Sequence, residues 1–255
     1  MFSGLSPSTS VRNLISNEVL LWYFNIDEAL QNHTVSGLCK LLNKEECSRM
    51  MGYRSEKRRN LFIASRAALR LILGYFLHEK SPDAIKFSFN TSGKPFLDDA
   101  SSQIQFNLSH SNDYVVIGIT KNSAIGVDIE FMQARSRMLD IAEHYFHHCE
   151  LEAISCALKE EGNAAALRLF YKIWSLKEAF IKADGRGMDI SGSSFYFKKS
   201  HRDNPLIEFE DYTPDMAHTW SFEHQVIDKH YSVALALKSV ASKQKVVVSN
   251  QRFTF

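Results

Sequence analysis

Two long amphipathic segments of similar length, residues 56–78 and about 164–184, constrain the fold of this 255-residue chain most. In the first, Leu61, Ala68, Leu69, Ile72, Leu73 and Phe76 recur at helical spacing. In the second, Phe170, Ile173, Trp174 and Ile181 form an apolar stripe, and Asp184-Gly185 is a glycine stop signal. Short strand-like runs surround each helix. They cover 18–26, 86–98 (turning at Ser92-Gly93-Lys94-Pro95), 103–110, 113–120 and 124–131, then 193–199, 206–212, 218–226 and 231–238. The runs 113–120 and 124–131 flank a Lys-Asn-Ser turn and read as a hairpin, and 136–161 reads as helix. A long helix with several short strands in each half predicts an α+β chain of two similar-sized lobes meeting near residue 122. The boundaries expected are a loose Ser-rich tail over 1–16, a first lobe over 17–122, a second over 123–239 and a Lys-rich tail over 240–255.

The formal net charge is +1, so bulk charge points to neither a nucleic-acid binder nor a membrane-surface protein. Four cysteines without a C-x-x-C spacing do not make a disulfide framework in a chain this long, which favours a reducing compartment. The N-terminus lacks a charged region followed by an apolar one, and the apolar stretch LRLILGYFL is broken by Arg70 and reads as too short for a membrane span. The expectation is a cytoplasmic protein with no membrane or nucleic-acid partner, able to work as a monomer.

In IGVDIEF (125–131), Ile125, Val127, Ile129 and Phe131 alternate with Gly126, Asp128 and Glu130. A strand places the two carboxylates on one face, where they are solvated or share a cation. All-oxygen ligands favour Mg²⁺ or Mn²⁺. On the second long helix, Lys177 falls within the apolar stripe, while Glu178 and Lys182 stand four apart on one edge. These are a snorkelling lysine and a surface ion pair, or a third metal carboxylate and a phosphate-facing lysine. Ser-Gly-Lys-Pro (92–95) and FNLSHS (106–111) sit at strand ends and offer turn amides, Lys94, Ser109 and His110 as a phosphate cradle, although each is also an ordinary turn. Arg59, Arg66 and Arg70 share a stripe of the first helix, either a solvated face or a guanidinium clamp for phosphate. His144, His147, His148 and Cys149 cluster without the spacing of a zinc site.

Taken together, GVDIE (126–130), WSLKEAFIKADGRG (174–187) about fifty residues later, and the upstream GKP and FNLSHS resemble the signature of 4′-phosphopantetheinyl transferases of the Sfp type. The resemblance covers about residues 50–190. It implies two pseudo-symmetric α+β lobes, each with a long helix packed on a small antiparallel sheet, with coenzyme A in the cleft between them. It implies Mg²⁺ held by Asp128, Glu130 and Glu178. It implies coenzyme contacts from Arg66, Lys94, Pro95, Ser109, His110, Lys177 and Lys182, with Arg66 near the 3′-phosphate. Arg54, Lys57, Arg58 and Arg59 stand as further basic candidates, and Glu150 matches a family position. The implied reaction moves the phosphopantetheine arm onto a serine of an apo acyl or peptidyl carrier protein and releases 3′,5′-ADP. Lys182 and His110 stabilise charge and Glu178 takes the serine proton. Gly126 is expected to leave room for metal and phosphates. The alternative is a non-catalytic module binding coenzyme A or a carrier protein.

Overall fold

The computed structural model describes residues 18–78, 81–198, 205–209, 219–238 and 247–255. Among them the N-terminal half of the chain comprises β1 (Glu18–Asn25), α1 (Ile26–Asn32), α2 (Val35–Cys39), α3 (Lys44–Met51), α4 (Glu56–Leu77), β2 (Phe87–Phe89), β3 (Pro95–Leu97), β4 (Ile104–Ser111) and β5 (Tyr114–Lys121). The C-terminal half comprises β6 (Ile125–Phe131), α5 (Met138–Tyr145), α6 (His148–Glu160), α7 (Asn163–Asp184), β7 (Phe195–Lys198), β8 (Leu206–Phe209), β9 (Trp220–Ile227) and β10 (Tyr231–Lys238). The last strand is β11 (Val247–Arg252). The chain is α+β, as its two helix-and-strand halves predict.

Four layers are stacked as helix, sheet, sheet, helix. The first sheet runs β11-β1-β5-β4 and the second β6-β10-β9. Alternation along each strand makes the stack. Leu20, Trp22 and Phe24 of β1 and Val115, Ile117 and Ile119 of β5 face the buried stripe of α4. Val19, Leu21, Tyr114 and Val116 point the other way, onto Ile125, Val127 and Ile129 of β6 and Val233, Leu235 and Leu237 of β10. The opposite face of β10 offers only Ala234 and Ala236 to Leu176, Ala179, Phe180 and Ala183 of α7. Both inner sheets are thus covered on both faces, which explains why β5 and β10 are buried almost throughout.

Four expectations change. Residues 113–131 are no hairpin: β5 pairs with β1 and β4, whereas β6 pairs with β10. The chain crosses between sheets at Asn122 (φ 64), because apolar residues on both faces of β5 and on the odd face of β6 are better buried face to face. The true hairpin is β4–β5, turning at Asn112 (φ 51). Residues 136–161 form two helices, because Glu150 and His147 build a capping box that starts α6 afresh. The stretch after Ser239, read as a tail, supplies β11, which runs parallel to β1 and makes the first sheet mixed. Phe253 and Phe255 then pack on Phe24. Finally, α4 is long and apolar enough to cross a membrane by composition, though most of that stretch is buried inside the protein. The expected tail over 1–16 lies outside the described residues.

Candidate active site

The site forms where β4, β6 and α7 meet. Gly126 lies under α7: a Cβ there would stand 2.0 Å from the Ala179 carbonyl oxygen and 2.4 Å from Ala183 N. The glycine therefore permits close strand–helix approach and does not open space for phosphates, a correction to the sequence reading. The same face of β6 presents Asp128 and Glu130 beneath the helix edge bearing Glu178 and Lys182.

The open edge of β6 is closed by side chains of β4 at alternate positions. Asn107 Oδ1 accepts from Val127 N–H at 2.9 Å. Ser109 Oγ donates to Asp128 Oδ1 at 3.0 Å. Ser111 Oγ donates to Glu130 Oε2 at 3.1 Å and accepts from Phe131 N–H at 3.0 Å. Sequence reasoning took up Ser109 but missed Asn107 and Ser111; their spacing of two on one strand face was the available signal.

Lys182 Nζ donates to Asp128 Oδ1 at 2.6 Å and to Ser109 Oγ at 2.8 Å. Asp128 is buried, and its Oδ2 has no hydrogen-bond partner. Burial raises the Asp128 pKa against the pull of Lys182. Burial, and then the charge of Asp128, raise the pKa of both Glu130 and Glu178. Both glutamates thus feel the aspartate: the arrangement is electrostatically unfavourable in the absence of a cation. An orphaned carboxylate oxygen beside two further acids is a donor set that fits a hard divalent ion. Asp128, Glu130 and Glu178 would hold it.

Lys177 takes a different part from the one the resemblance implies. Its ammonium lies 2.8 Å from Glu150 Oε2 and donates to the carbonyls of Gly192 at 2.7 Å and Phe195 at 2.6 Å. Those three acceptors use its three N–H groups, leaving none for a phosphate. Glu150 also accepts from Phe197 N–H at 2.9 Å and His147 N–H at 3.1 Å, so the pair ties α6, α7 and β7 together.

Two cavities adjoin the site. One, of about 500 Å³, is lined by Arg49, Arg58, Arg66 and His110 among others. The second, of about 510 Å³, is lined by Tyr145, Phe146, Trp174, Ile181, Glu178 and Lys182 among others. Pro95, Asn107 and Leu108 border both. His110 therefore faces the arginine cavity, where desolvation and then Lys182 lower its pKa. Arg66 is held between the Phe62 and Phe87 rings with Glu46 at 3.5 Å. Arg70 is sealed, bonded to Glu46 at 2.6 Å and to the Pro82 and Ile85 carbonyls, and is removed from the phosphate-clamp reading. Of the other basic candidates, Arg58 lines the cavity, whereas Lys57 pairs with Asp113 at 2.7 Å.

Among the described residues, one group of three metal-ligating side chains has its ligand atoms within 4.8 Å of one another: His147, His148 and Cys149. Asp128, Glu130 and Glu178 are not gathered that tightly; Lys182 and Ser109 bond to Asp128, and Ser111 bonds to Glu130. In the histidine group, His147 Nδ1 already accepts from Cys149 N–H at 3.3 Å and its ring stacks on Tyr196. The group also sits at the N-terminus of α6, where the helix dipole disfavours a cation.

Known proteins match both halves of the chain. Residues 124–236 match the model of the 4′-phosphopantetheinyl transferase superfamily, and residues 30–122 match that of the 4′-phosphopantetheinyl transferase N-terminal region. The chain is 32% identical over 184 residues to the 4′-phosphopantetheinyl transferase HetI of Nostoc, covering 71% of this chain and 75% of that one. It is 32% identical over 206 residues to the transferase ffp of Bacillus subtilis, covering 76% and 86%. It is 30% identical over 181 residues to Sfp of Bacillus subtilis strain 168, covering 67% and 77%. The chain is thus an enzyme of the transferase class and belongs to the 4′-phosphopantetheinyl transferase superfamily.

Proposed function

We propose that the protein transfers the 4′-phosphopantetheine arm of coenzyme A to a serine hydroxyl of an apo acyl or peptidyl carrier protein, releasing 3′,5′-ADP. The observation that carries this reading is the pair of adjoining cavities, one arginine-lined and one aromatic, with Lys182 and Glu178 on the wall of the second. Coenzyme A has matching parts: a phosphorylated nucleoside, a pyrophosphate and a largely uncharged arm. Arg49, Arg58, Arg66 and His110 suit the 3′-phosphate, for which a guanidinium fork is the fitting donor. Pro95 and Leu108 form the saddle over which the coenzyme crosses.

Phosphoryl transfer is governed by positioning and charge neutralisation more than by an enzyme nucleophile. The serine oxygen forms a bond to the phosphopantetheine phosphorus while the bond from that phosphorus to the bridging oxygen breaks. That oxygen leaves with 3′,5′-ADP. Mg²⁺, when bound by Asp128, Glu130 and Glu178, supplies neutralisation of the pyrophosphate. Lys182 places its ammonium at the edge of the same group and stabilises the leaving phosphate. Glu178 accepts the serine proton, directly or through water. The reaction needs no membrane, nucleic acid or second subunit, consistent with a cytoplasmic monomer.

The test is incubation of the protein with coenzyme A, Mg²⁺ and a panel of apo carriers. A mass gain of one phosphopantetheine on a carrier, lost in EDTA, is the expected result. Coenzyme binding with every carrier unchanged would instead mark a binding module.

A further inference from the structure

We propose that Lys94, which lines the second cavity, is a positioning residue whose ammonium seats α7 on β6 and does not hold a coenzyme phosphate; this rests on the transferase reading above. Lys94 Nζ donates to the Ile125 carbonyl at 3.0 Å and to the Ala183 carbonyl at 3.1 Å. One carbonyl begins β6 and the other belongs to the last turn of α7. Between them lies Gly126, where strand and helix approach too closely for any side chain. The clamp therefore sits beside both halves of the site: Asp128 stands three residues after Ile125, and Lys182 immediately precedes Ala183.

Lys94 does not act alone. Asn90 Nδ2 donates to the Gly185 carbonyl at 2.8 Å, and Ser92 Oγ donates to the Arg186 carbonyl at 3.0 Å. The carbonyls at the C-terminal end of a helix lack intrahelical partners and attract positive charge. The turn is itself fixed in advance, because Asn90 Oδ1 accepts from the N–H groups of Ser92 at 3.0 Å and Lys94 at 2.8 Å. One turn of the N-terminal half thus holds the end of the catalytic helix of the C-terminal half. A shift of α7 along β6 would move Lys182 off Asp128, to which it is bonded at 2.6 Å. Small misplacements of catalytic groups are expensive in rate.

The test compares wild type with Lys94→Met in three measurements: coenzyme A affinity by calorimetry, kcat with an apo carrier, and amide hydrogen exchange. The expected result is a kcat lower by about tenfold or more, with coenzyme affinity within about twofold of wild type. Exchange should quicken at Gly185 and its neighbours and stay unchanged in the middle of α4. An affinity about tenfold weaker, with kcat retained at saturating coenzyme, would make Lys94 a ligand contact and overturn the proposal. Unchanged exchange in the last turn of α7 would overturn it as well. If Lys94→Met does not fold, the double variant Asn90→Ala, Ser92→Ala keeps the ammonium and removes the other two bonds. It should show the same signs at smaller size, and wild-type kcat and exchange in it would overturn the proposal. Exchange needs neither coenzyme nor carrier, so its outcome is separate from that of the transferase reading.

Discussion

Lys177 and Lys182 lie five residues apart on α7, and each faces a buried carboxylate, yet their surroundings differ. The Lys177–Glu150 pair is closed off, with side-chain exposures of 4% and 2%, and every ammonium hydrogen has an acceptor. The Lys182–Asp128 pair opens on the cleft: Lys182 is 29% exposed, and its partner keeps an oxygen without a hydrogen bond. A satisfied buried ion pair holds elements in place. An incompletely satisfied one, with two more acids raised in pKa beside it, is a pattern found at functional sites.

The sharpest way to break this contrast is to truncate each lysine. Lys177→Met should cost about 3–5 kcal/mol of folding stability by stranding Glu150, measured by denaturant unfolding. Lys182→Met should cost less than Lys177→Met, because its ammonium is partly solvated, even though the change leaves the buried Asp128 without its lysine. Transfer by the Lys182→Met variant should fall by about a hundredfold or more. Equal stability losses in the two variants would erase the distinction.

Next in size is Glu178→Gln. A carboxylate whose folded pKa is raised adds stability below its unfolded value and loses it as pH rises through the folded one. At neutral pH the ionised glutamate is therefore a liability to the fold. Replacement by glutamine should abolish transfer yet leave the melting temperature, measured without divalent ions, equal or higher. A marked drop in melting temperature would place Glu178 among the structural acids with Glu150.

A smaller effect follows for Mg²⁺. Since Asp128, Glu130 and Glu178 all have raised pKa values, protons compete with the ion further into the weakly acidic range than for ordinary carboxylates. The rise in melting temperature on adding Mg²⁺ should be clear at pH 7–8 and should shrink as pH falls toward 5. A pH-independent shift would point to binding elsewhere. The smallest effect concerns Lys94, whose pKa burial lowers from 10.5 to about 8. Between those values the unfolded chain binds more protons than the folded one, so Lys94 makes stability rise with pH across that window. The slope of stability against pH there should be shallower in Lys94→Met.

Much of the architecture is visible in periodicity. The stripes of α4 and α7 and the glycine stop at Gly185 (φ 86) announce two helices, and the alternation of β6 announces its acidic face. Pairing was less visible. Nothing local in 113–131 tells a hairpin from a crossover, because a strand buried on both faces has no alternation to orient it. The strand β11 follows a Lys-rich stretch whose charge masks the run VVVSN. Within the site, Asp128, Glu178 and Lys182 were legible as polar residues at telling intervals. Lys177 and Gly126 were not, since a lysine in an apolar stripe and a glycine in a strand take their meaning from what packs above them. The same holds for Arg70, whose partners on α3 and the 82–85 turn are set by tertiary packing.

The central claim is that the acids of β6 and α7 belong to one cation site while Glu150 does not. A Mn²⁺ titration followed by electron paramagnetic resonance tests it directly, using wild type, Asp128→Asn, Glu178→Gln and Glu150→Gln. The account predicts a bound ion in wild type and in Glu150→Gln, and its loss in the other two. Mn²⁺ held as tightly by Asp128→Asn as by wild type would contradict it.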